Sequence, residues 1–228
     1  GAGLMGHGIA LTFAKAGYTV NVFDPIKDVV SNLSKRIESS LQGMGIEEQD
    51  IKKILNNIQI CSVLEECVDE ADIVIEAAPE KIELKKNLFS QIESVAPSNS
   101  IFASNTSVIP ITKIMGDLQN RERALGTHWW NPPHMIPLVE VIKTKWTSDS
   151  SINTVMSILK DIGKTAVCVQ KDIPGFVGNR LQHALWREAI SLVENGVCDA
   201  ESVDTVVKSS FGRRLAVLGP LENVDLIG

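Results

Sequence analysis

The sequence predicts an α/β chain, a doubly wound and mostly parallel sheet over residues 1–173 followed by an all-helical region over residues 174–228. Three observations predict it. A glycine-spaced turn at residues 1–6 runs directly into an apolar helical pattern and then a β-branched run. From there β-branched runs and helical periodicity alternate as far as residue 169, the pattern of βαβ units laid into a parallel sheet. At Lys171-Asp172-Ile173-Pro174-Gly175 the alternation stops and only helical periodicity continues, so a domain boundary is expected near Pro174.

Bulk properties narrow the class. A chain of 228 residues forms one large domain or two smaller ones, and 44% apolar content is enough to bury a core. A formal net charge of −6 argues against a nucleic-acid partner or an anionic membrane surface. No apolar run is long enough to span a bilayer, and no signal-peptide pattern is visible. Cys61, Cys67, Cys168 and Cys198 form no C-x-x-C pattern and read as reduced thiols, buried for the most part, with Cys61 and Cys67 able to be neighbours. That usage fits a cytosolic or matrix-like compartment, and a cytoplasmic location is expected. No His/Cys cluster points to a metal.

The first element is Gly1-Ala2-Gly3-Leu4-Met5-Gly6, G-x-G-x-x-G, opening a helix through Ile9, Phe13 and Ala14 that ends at Gly17. A strand over residues 19–23 follows and stops at Asp24. Each part suits a dinucleotide. The first glycine makes the turn, the second lets the backbone approach a pyrophosphate, and the third permits close packing. Free N–H groups at the helix start then face the anion. Asp24 is placed to accept from a ribose 2′-OH and would repel a 2′-phosphate, so the Rossmann cofactor expected is NAD and not NADP. Such a motif normally follows a strand, so a first, central strand is expected upstream of Gly1. His7 reads as a local variant without a chemical role.

Residues 27–41 read as one helix, residues 47–55 as a second, and residues 58–60 as a short strand. Residues 64–68 form a helical turn. Asp72-Ile73-Val74-Ile75-Glu76-Ala77 is a buried parallel strand, ending in the loop Ala78-Pro79-Glu80 at a carboxyl end where ligands bind. Glu80 and Lys85 have two readings, facing a cofactor or lying on a solvated helix face with Glu83 and Lys86. A helix over residues 82–95 leads to a strand over residues 100–104 and then Asn105-Thr106-Ser107, placed either to touch a ligand or to make a plain turn or N-cap.

After a short helix at residues 111–115, the strand Ala124-Leu125-Gly126 delivers His128 to a Pro-rich turn. The run Leu138-Val139-Glu140-Val141-Ile142 is a strand carrying one carboxylate. A carboxylate in such a run is costly unless paired, and an imidazole is its natural partner; the pair would be a general acid/base. The competing reading makes His128 a core or turn histidine and Glu140 an edge residue facing water. A helix at residues 152–162 and a strand at residues 165–169 complete the alternation. Residues 176–194 are then helical, stopped by Gly196, and Asp199 caps a helix reaching Val207.

Taken together, Gly-Ala-Gly-Leu-Met-Gly at 1–6, Ala-Ser-Asn-Thr-Ser at 103–107, His-Trp-Trp-Asn-Pro at 128–132, Leu-Val-Glu-Val-Ile at 138–142 and Pro-Gly-Phe-Val-Gly-Asn-Arg at 174–180 resemble the L-3-hydroxyacyl-CoA dehydrogenase family over essentially the whole chain. The resemblance implies that His128 is the catalytic base, that Glu140 orients and charges it, and that Ser107 and Asn179 hold the substrate. It implies cofactor contacts from Gly1, Gly3, Leu4, Met5, Gly6, Asp24, Glu80, Lys85, Ser107 and Asn131, and a CoA contact from Ser40. It also implies a helical second domain that makes a homodimer, cut short here at Gly228. Three departures bear on substrate. The stretch after Ser40 carries Glu47 and Glu48 where a CoA-binding lysine is expected, Trp129-Trp130 replaces the usual Phe-Phe, and Arg213-Arg214 lies in a segment closer to carnitine and gulonate dehydrogenases. Those arginines suit a free carboxylate and equally suit surface ion pairs. Three functions are therefore open: a 3-hydroxyacyl-CoA dehydrogenase, a dehydrogenase of a free 3-hydroxy acid, and a catalytically silent dinucleotide-binding protein.

Overall fold

In the computed structural model, which describes residues 1–228, the chain divides into two units, Gly1–Val177 and Gly178–Gly228. The first unit opens with α1 (Leu4–Lys15), β1 (Val20–Val22), α2 (Lys27–Ser31), α3 (Leu33–Gly43), α4 (Glu48–Asn56) and β2 (Ile58–Ile60). It continues with α5 (Leu64–Val68), β3 (Ile73–Glu76), α6 (Ile82–Val95), β4 (Ile101–Ser104) and α7 (Ile111–Ile114). It closes with β5 (Ala124–Trp129), β6 (Leu138–Ile142), α8 (Asp149–Asp161) and β7 (Thr165–Val169).

Strands β1 and β2 pair in parallel as a separate ribbon, and the main sheet runs in the order β3-β4-β5-β6-β7. Every neighbouring pair is parallel except β5 and β6, which are antiparallel. The chain reverses there because only residues 130–137 join the two strands, too few for the crossover a parallel return requires. A cis Asn131–Pro132 bond lies in that turn.

Alternation along the strands gives the main sheet two apolar faces. On one face Leu125, Trp129, Val139 and Val141 pack with Ile9 and Phe13 of α1 and with Ile152, Val155 and Leu159 of α8. On the other face Phe102, Ala124 and Ile142 pack with Phe89 and Ile92 of α6 and with Ile111 and Ile114 of α7. A third core joins Leu33, Ile37 and Leu41 of α3 to Ile51 and Ile54 of α4, against α1 and Val22. The sheet is thus covered on both sides, the doubly wound arrangement expected. Two helices depart from the expected reading. The stretch from 27 to 41 breaks at Asn32 into α2 and α3, and its Arg36 side chain bonds back to Val29 O at 2.9 Å. The helix expected to begin at Phe176 begins at Gly178, because Phe176 has φ +49°.

The second unit holds α9 (Gly178–Glu194), α10 (Ala200–Ser209) and α11 (Pro220–Ile227). Gly196, at φ +68°, ends α9, and the Asp199 carboxylate accepts Ser202 N at 2.8 Å to start α10. Helix α11, which periodicity did not reveal, starts with Pro220 at its first position and Glu222 folded back to accept Gly219 N at 2.6 Å. Leu181, Leu185, Trp186, Ile190 and Val193 form an exposed apolar stripe on α9. All four cysteines are free thiols; Cys61 is buried and the other three are half-buried.

Candidate active site

The antiparallel register pairs His128 directly with Glu140. Directly opposed residues of an antiparallel pair project on the same face about 5 Å apart, so the register alone brings the two side chains together. Trp129, one residue on, turns to the opposite core, and a one-residue slip would have separated the pair. His128 Nδ1 lies 2.7 Å from Glu140 Oε2, with both side chains nearly inaccessible to water, at 5% and 2%. An ionised carboxylate only accepts, so Nδ1 carries the proton and Nε2 presents a lone pair. The rings of Trp130 and Phe176 flank the imidazole at centroid distances of 5.3 and 5.5 Å.

Glu140 has a second fixed contact, since Oε1 accepts Val177 N at 2.9 Å. That amide points back to β6 because Gly175 and Phe176 are both left-handed, at φ +73° and +49°. An L-residue in this region costs roughly 1–2 kcal/mol. Full burial of a phenylalanine side chain contributes about 1.5–3 kcal/mol, and Phe176 is completely buried. The apolar contact is thus of a size to offset the strain. Upstream, both carboxylate oxygens of Asp172 accept from the start of α7, at 3.0 Å from Ile111 N and 2.7 Å from Thr112 N. Residues 172–177 thus belong to the first unit, which ends slightly beyond the boundary expected near Pro174.

The glycine turn lies beside the ends of β1 and β3. A Cβ at Gly6 would stand 1.8 Å from Gly1 O, and one at Gly1 would stand 2.7 Å from Ala77 O, so both positions exclude side chains. At Gly3 a Cβ would meet nothing within 4 Å, which leaves its backbone open to a ligand. No side chain caps α1 and its first turn contains no acid, so its N–H groups remain available to an anion. Asp24 accepts Ala2 N at 2.8 Å and Ile26 N at 2.9 Å, which seats its carboxylate beside the turn. Arg36 donates to Ala2 O from the other side. Leu4 is exposed at the first turn of α1, and Met5 packs against the core that contains Ile9 and Phe13. These features fit the pyrophosphate and ribose of NAD.

Between β3 and β4 lies a buried polar network. Glu76 Oε1 accepts Lys85 Nζ at 2.6 Å and Ala78 N at 2.6 Å, and its Oε2 accepts Ser104 Oγ at 2.6 Å. Lys85 also reaches Ala78 O at 3.2 Å and Glu80 Oε2 at 3.3 Å. Glu80 Oε1 accepts the Thr106 hydroxyl, Ser107 N at 3.0 Å and Val108 N at 3.2 Å. Partial burial of Glu80 works to raise its pKa, but the Thr106 hydroxyl, Lys85 and the two amides prevail and hold it below the ordinary carboxylate value. Asn105 Oδ1 accepts Trp129 N at 3.0 Å, tying the end of β4 to the strand that carries His128.

Several expected residues change character in this geometry. Lys85 lies on no solvated face; its side chain is 1% exposed and its ammonium contacts Glu76, Ala78 O and Glu80. Ser107 caps no helix, since Pro110 precedes α7 and the turn hydroxyl is Thr106, which accepts Ile109 N at 3.0 Å. Ser107 itself is exposed at the rim beside Glu80. Ser40 is half-buried in the last turns of α3, and Asn131 is exposed two residues after the end of β5. Asn179 stands in the first turn of α9 in the second unit. His7 is buried, with Nδ1 3.1 Å from Gly3 O and its ring 6.1 Å from that of His134. Sequence reasoning does not single out Glu76, Asp172 or Phe176 as site residues. Glu76 carried a legible signal, a carboxylate closing an apolar strand, the same signal that singled out Glu140.

Comparison with known proteins places the chain in a family. Residues 1–173 match the family model for the 3-hydroxyacyl-CoA dehydrogenase NAD binding domain, and residues 175–228 match its C-terminal domain. The chain is 38% identical to a probable 3-hydroxybutyryl-CoA dehydrogenase of Bacillus subtilis, spanning 100% of this chain and 79% of that protein. It is 34% identical to an L-carnitine dehydrogenase of Streptomyces griseus, spanning 100% and 68%. A solved structure of 5-formyl-3-hydroxy-2-methylpyridine 4-carboxylic acid 5-dehydrogenase, described as an NAD+-dependent dismutase, superposes with a TM-score of 0.89 at 36% identity, covering 100% of this chain and 74% of that one.

Proposed function

The chain belongs to the 3-hydroxyacyl-CoA dehydrogenase family of NAD-dependent oxidoreductases acting on CH–OH groups, and we propose that within it His128 and Glu140 are the acid/base pair that oxidises the 3-hydroxyl of an L-3-hydroxyacyl-CoA. The observation that carries this reading is the 2.7 Å contact from Nδ1 to Oε2, which leaves Nε2 as the base. NAD, when bound, supplies the hydride acceptor. Nε2 takes the hydroxyl proton, and the Glu140 carboxylate stabilises the imidazolium that results. A positioned acid/base group of this kind contributes ~10²–10⁴-fold in rate. Ser107 and Asn179 hold the substrate oxygens, and Ser40 meets the CoA. The turn at Gly1, Gly3, Leu4, Met5 and Gly6 holds the pyrophosphate, Asp24 holds the ribose, and Glu80, braced by Lys85, faces the cofactor together with Ser107 and Asn131. The apolar stripe of α9 supports assembly as a homodimer through the helical unit, since contiguous exposed apolar surface marks an interaction site. The protein works in the cytoplasm, in fatty acid metabolism.

A second reading has its own support. The L-carnitine dehydrogenase and the pyridine carboxylic acid enzyme are named for free acids, and Glu47 and Glu48 lie where a CoA-binding lysine is expected. The substrate is then a free L-3-hydroxy acid, with Arg213 or Arg214 on its carboxylate. Assays of 3-hydroxybutyryl-CoA beside free L-3-hydroxy acids separate the two. A kcat/KM at least tenfold higher for the thioester supports the first reading, and the reverse ratio supports the second. In either case His128→Gln is expected to keep NAD binding and lose most turnover; wild-type turnover in that variant removes His128 as the base.

A further inference from the structure

We propose that residues 172–177 form a strap that fixes the orientation of the Glu140 carboxylate, with Asp172, Phe176 and Val177 as positioning residues for the His128–Glu140 pair. The catalytic consequence rests on the acid/base reading above; the positional one does not.

The strap spans both strands that carry the pair. At its upstream end Asp172 accepts from Ile111 N and Thr112 N, which ties it to α7. Helix α7 is seated on β5 so closely that a Cβ at Gly126 would stand 2.7 Å from Ile111 Cδ1. Gly126 lies on the same strand as His128. At its downstream end Val177 N donates to Glu140 Oε1 on β6. Between these anchors Phe176 is fully buried, with its ring against the imidazole at 5.5 Å. The left-handed φ of Phe176 aims the Val177 amide at the carboxylate.

A carboxylate held through one oxygen pivots about its terminal torsion, a broad and soft degree of freedom. With Oε2 on His128 and Oε1 on Val177, each oxygen has a fixed donor. Loosening the strap weakens the donor on Oε1, and with it the aim of Oε2 at Nδ1, without removing either member of the pair; a looser supporting contact weakens an otherwise complete site.

The Nδ1 proton of His128 reports this directly. It is read by proton and nitrogen NMR on the labelled chain of residues 1–228, with the four histidines assigned by individual substitution. Asp172→Ala releases the upstream anchor, and Phe176→Ala removes the ring while keeping the strained backbone. Both are expected to speed exchange of the Nδ1 proton at least tenfold and to lower kcat about tenfold, with KM for NAD within twofold of wild type. Phe176→Leu, which refills most of the space, restores most of the lost kcat. The exposed Lys171→Ala serves as the control and changes neither. Wild-type exchange of the Nδ1 proton in folded Asp172→Ala overturns the strap, and that variant decides the question even where Phe176→Ala fails to fold. Faster exchange with wild-type kcat keeps the strap and overturns instead the role of the pair in turnover.

Discussion

Replacing Lys85 with methionine separates a lysine that braces the site from one that binds the cofactor. Lys85 and Glu76 lie 2.6 Å apart with side-chain exposures of 1% and 0%. Breaking a buried ion pair by removing one partner costs about 3–5 kcal/mol, because the other charge stays buried. Glu76 keeps two donors, Ala78 N and Ser104 Oγ, so the loss belongs at the low end of that range, about 3 kcal/mol. The Lys85–Glu80 contact, at 3.3 Å and with Glu80 36% exposed, adds at most about 1 kcal/mol. For a chain of this size about 3 kcal/mol corresponds to a fall in the thermal midpoint of roughly 6–12 °C, measured by calorimetry. Adding Glu76→Gln removes the orphaned charge and is expected to recover at least half of the loss. NAD affinity, measured by titration calorimetry, should then return to within about threefold of wild type. A loss below about 1 kcal/mol in Lys85→Met refutes the burial argument, since that is the size of an exposed pair. A stable double variant that no longer binds NAD shows instead that Lys85 acts on the cofactor itself.

Three further outcomes follow from the same geometry. Asp24→Asn removes the charge proposed to face the ribose, and with one charged hydrogen bond worth about 1.5–3 kcal/mol it should weaken NAD about 10- to 100-fold and NADP less; an unchanged NAD/NADP ratio in binding assays counts against the ribose assignment. Gly6→Ala puts a methyl 1.8 Å from Gly1 O, so the turn must open, and NAD affinity is expected to fall at least ~100-fold (about 2.7 kcal/mol); binding within threefold of wild type refutes the close-packing argument. Glu80 has a folded pKa below its ordinary 4.5. Its contribution to stability is therefore present above 4.5 and is lost as pH falls through the lower folded value. Amide exchange at Ser107 and Val108 should accelerate only in that acid range and become insensitive to pH there in Glu80→Gln. Loss of protection well above pH 4.5 would contradict the assignment.

Much of the fold was legible because its signals are local. Gly1, Gly3 and Gly6, Asp24 and the β-branched runs each announce a turn, a carboxylate or a strand within a few residues. The break at Asn32 was not legible, since the apolar spacing of Val29, Leu33 and Ile37 runs on unbroken across it. Helix α11 was missed because its start depends on Pro220 and a folded-back Glu222, not on a periodic stripe. Of the site, His128 and Glu140 stood out because a buried charge needs a partner. Phe176 did not, because a phenylalanine amid helical spacing reads as the helix continuing.

The order of residues by itself determined that this chain has a dinucleotide turn, a covered sheet and two carboxylate-bearing strands, one of them near a histidine. Those follow from backbone sterics and from the cost of leaving charge unpaired. Only the tertiary structure decided how each charge is held. The antiparallel reversal between β5 and β6 puts Glu140 opposite His128, and burial turns Lys85 inward onto Glu76 and Glu80. The strap from Asp172 to Val177 belongs to the same class, because its anchors lie on α7 and β6, dozens of residues away in the chain and adjacent only after the sheet has closed over its core.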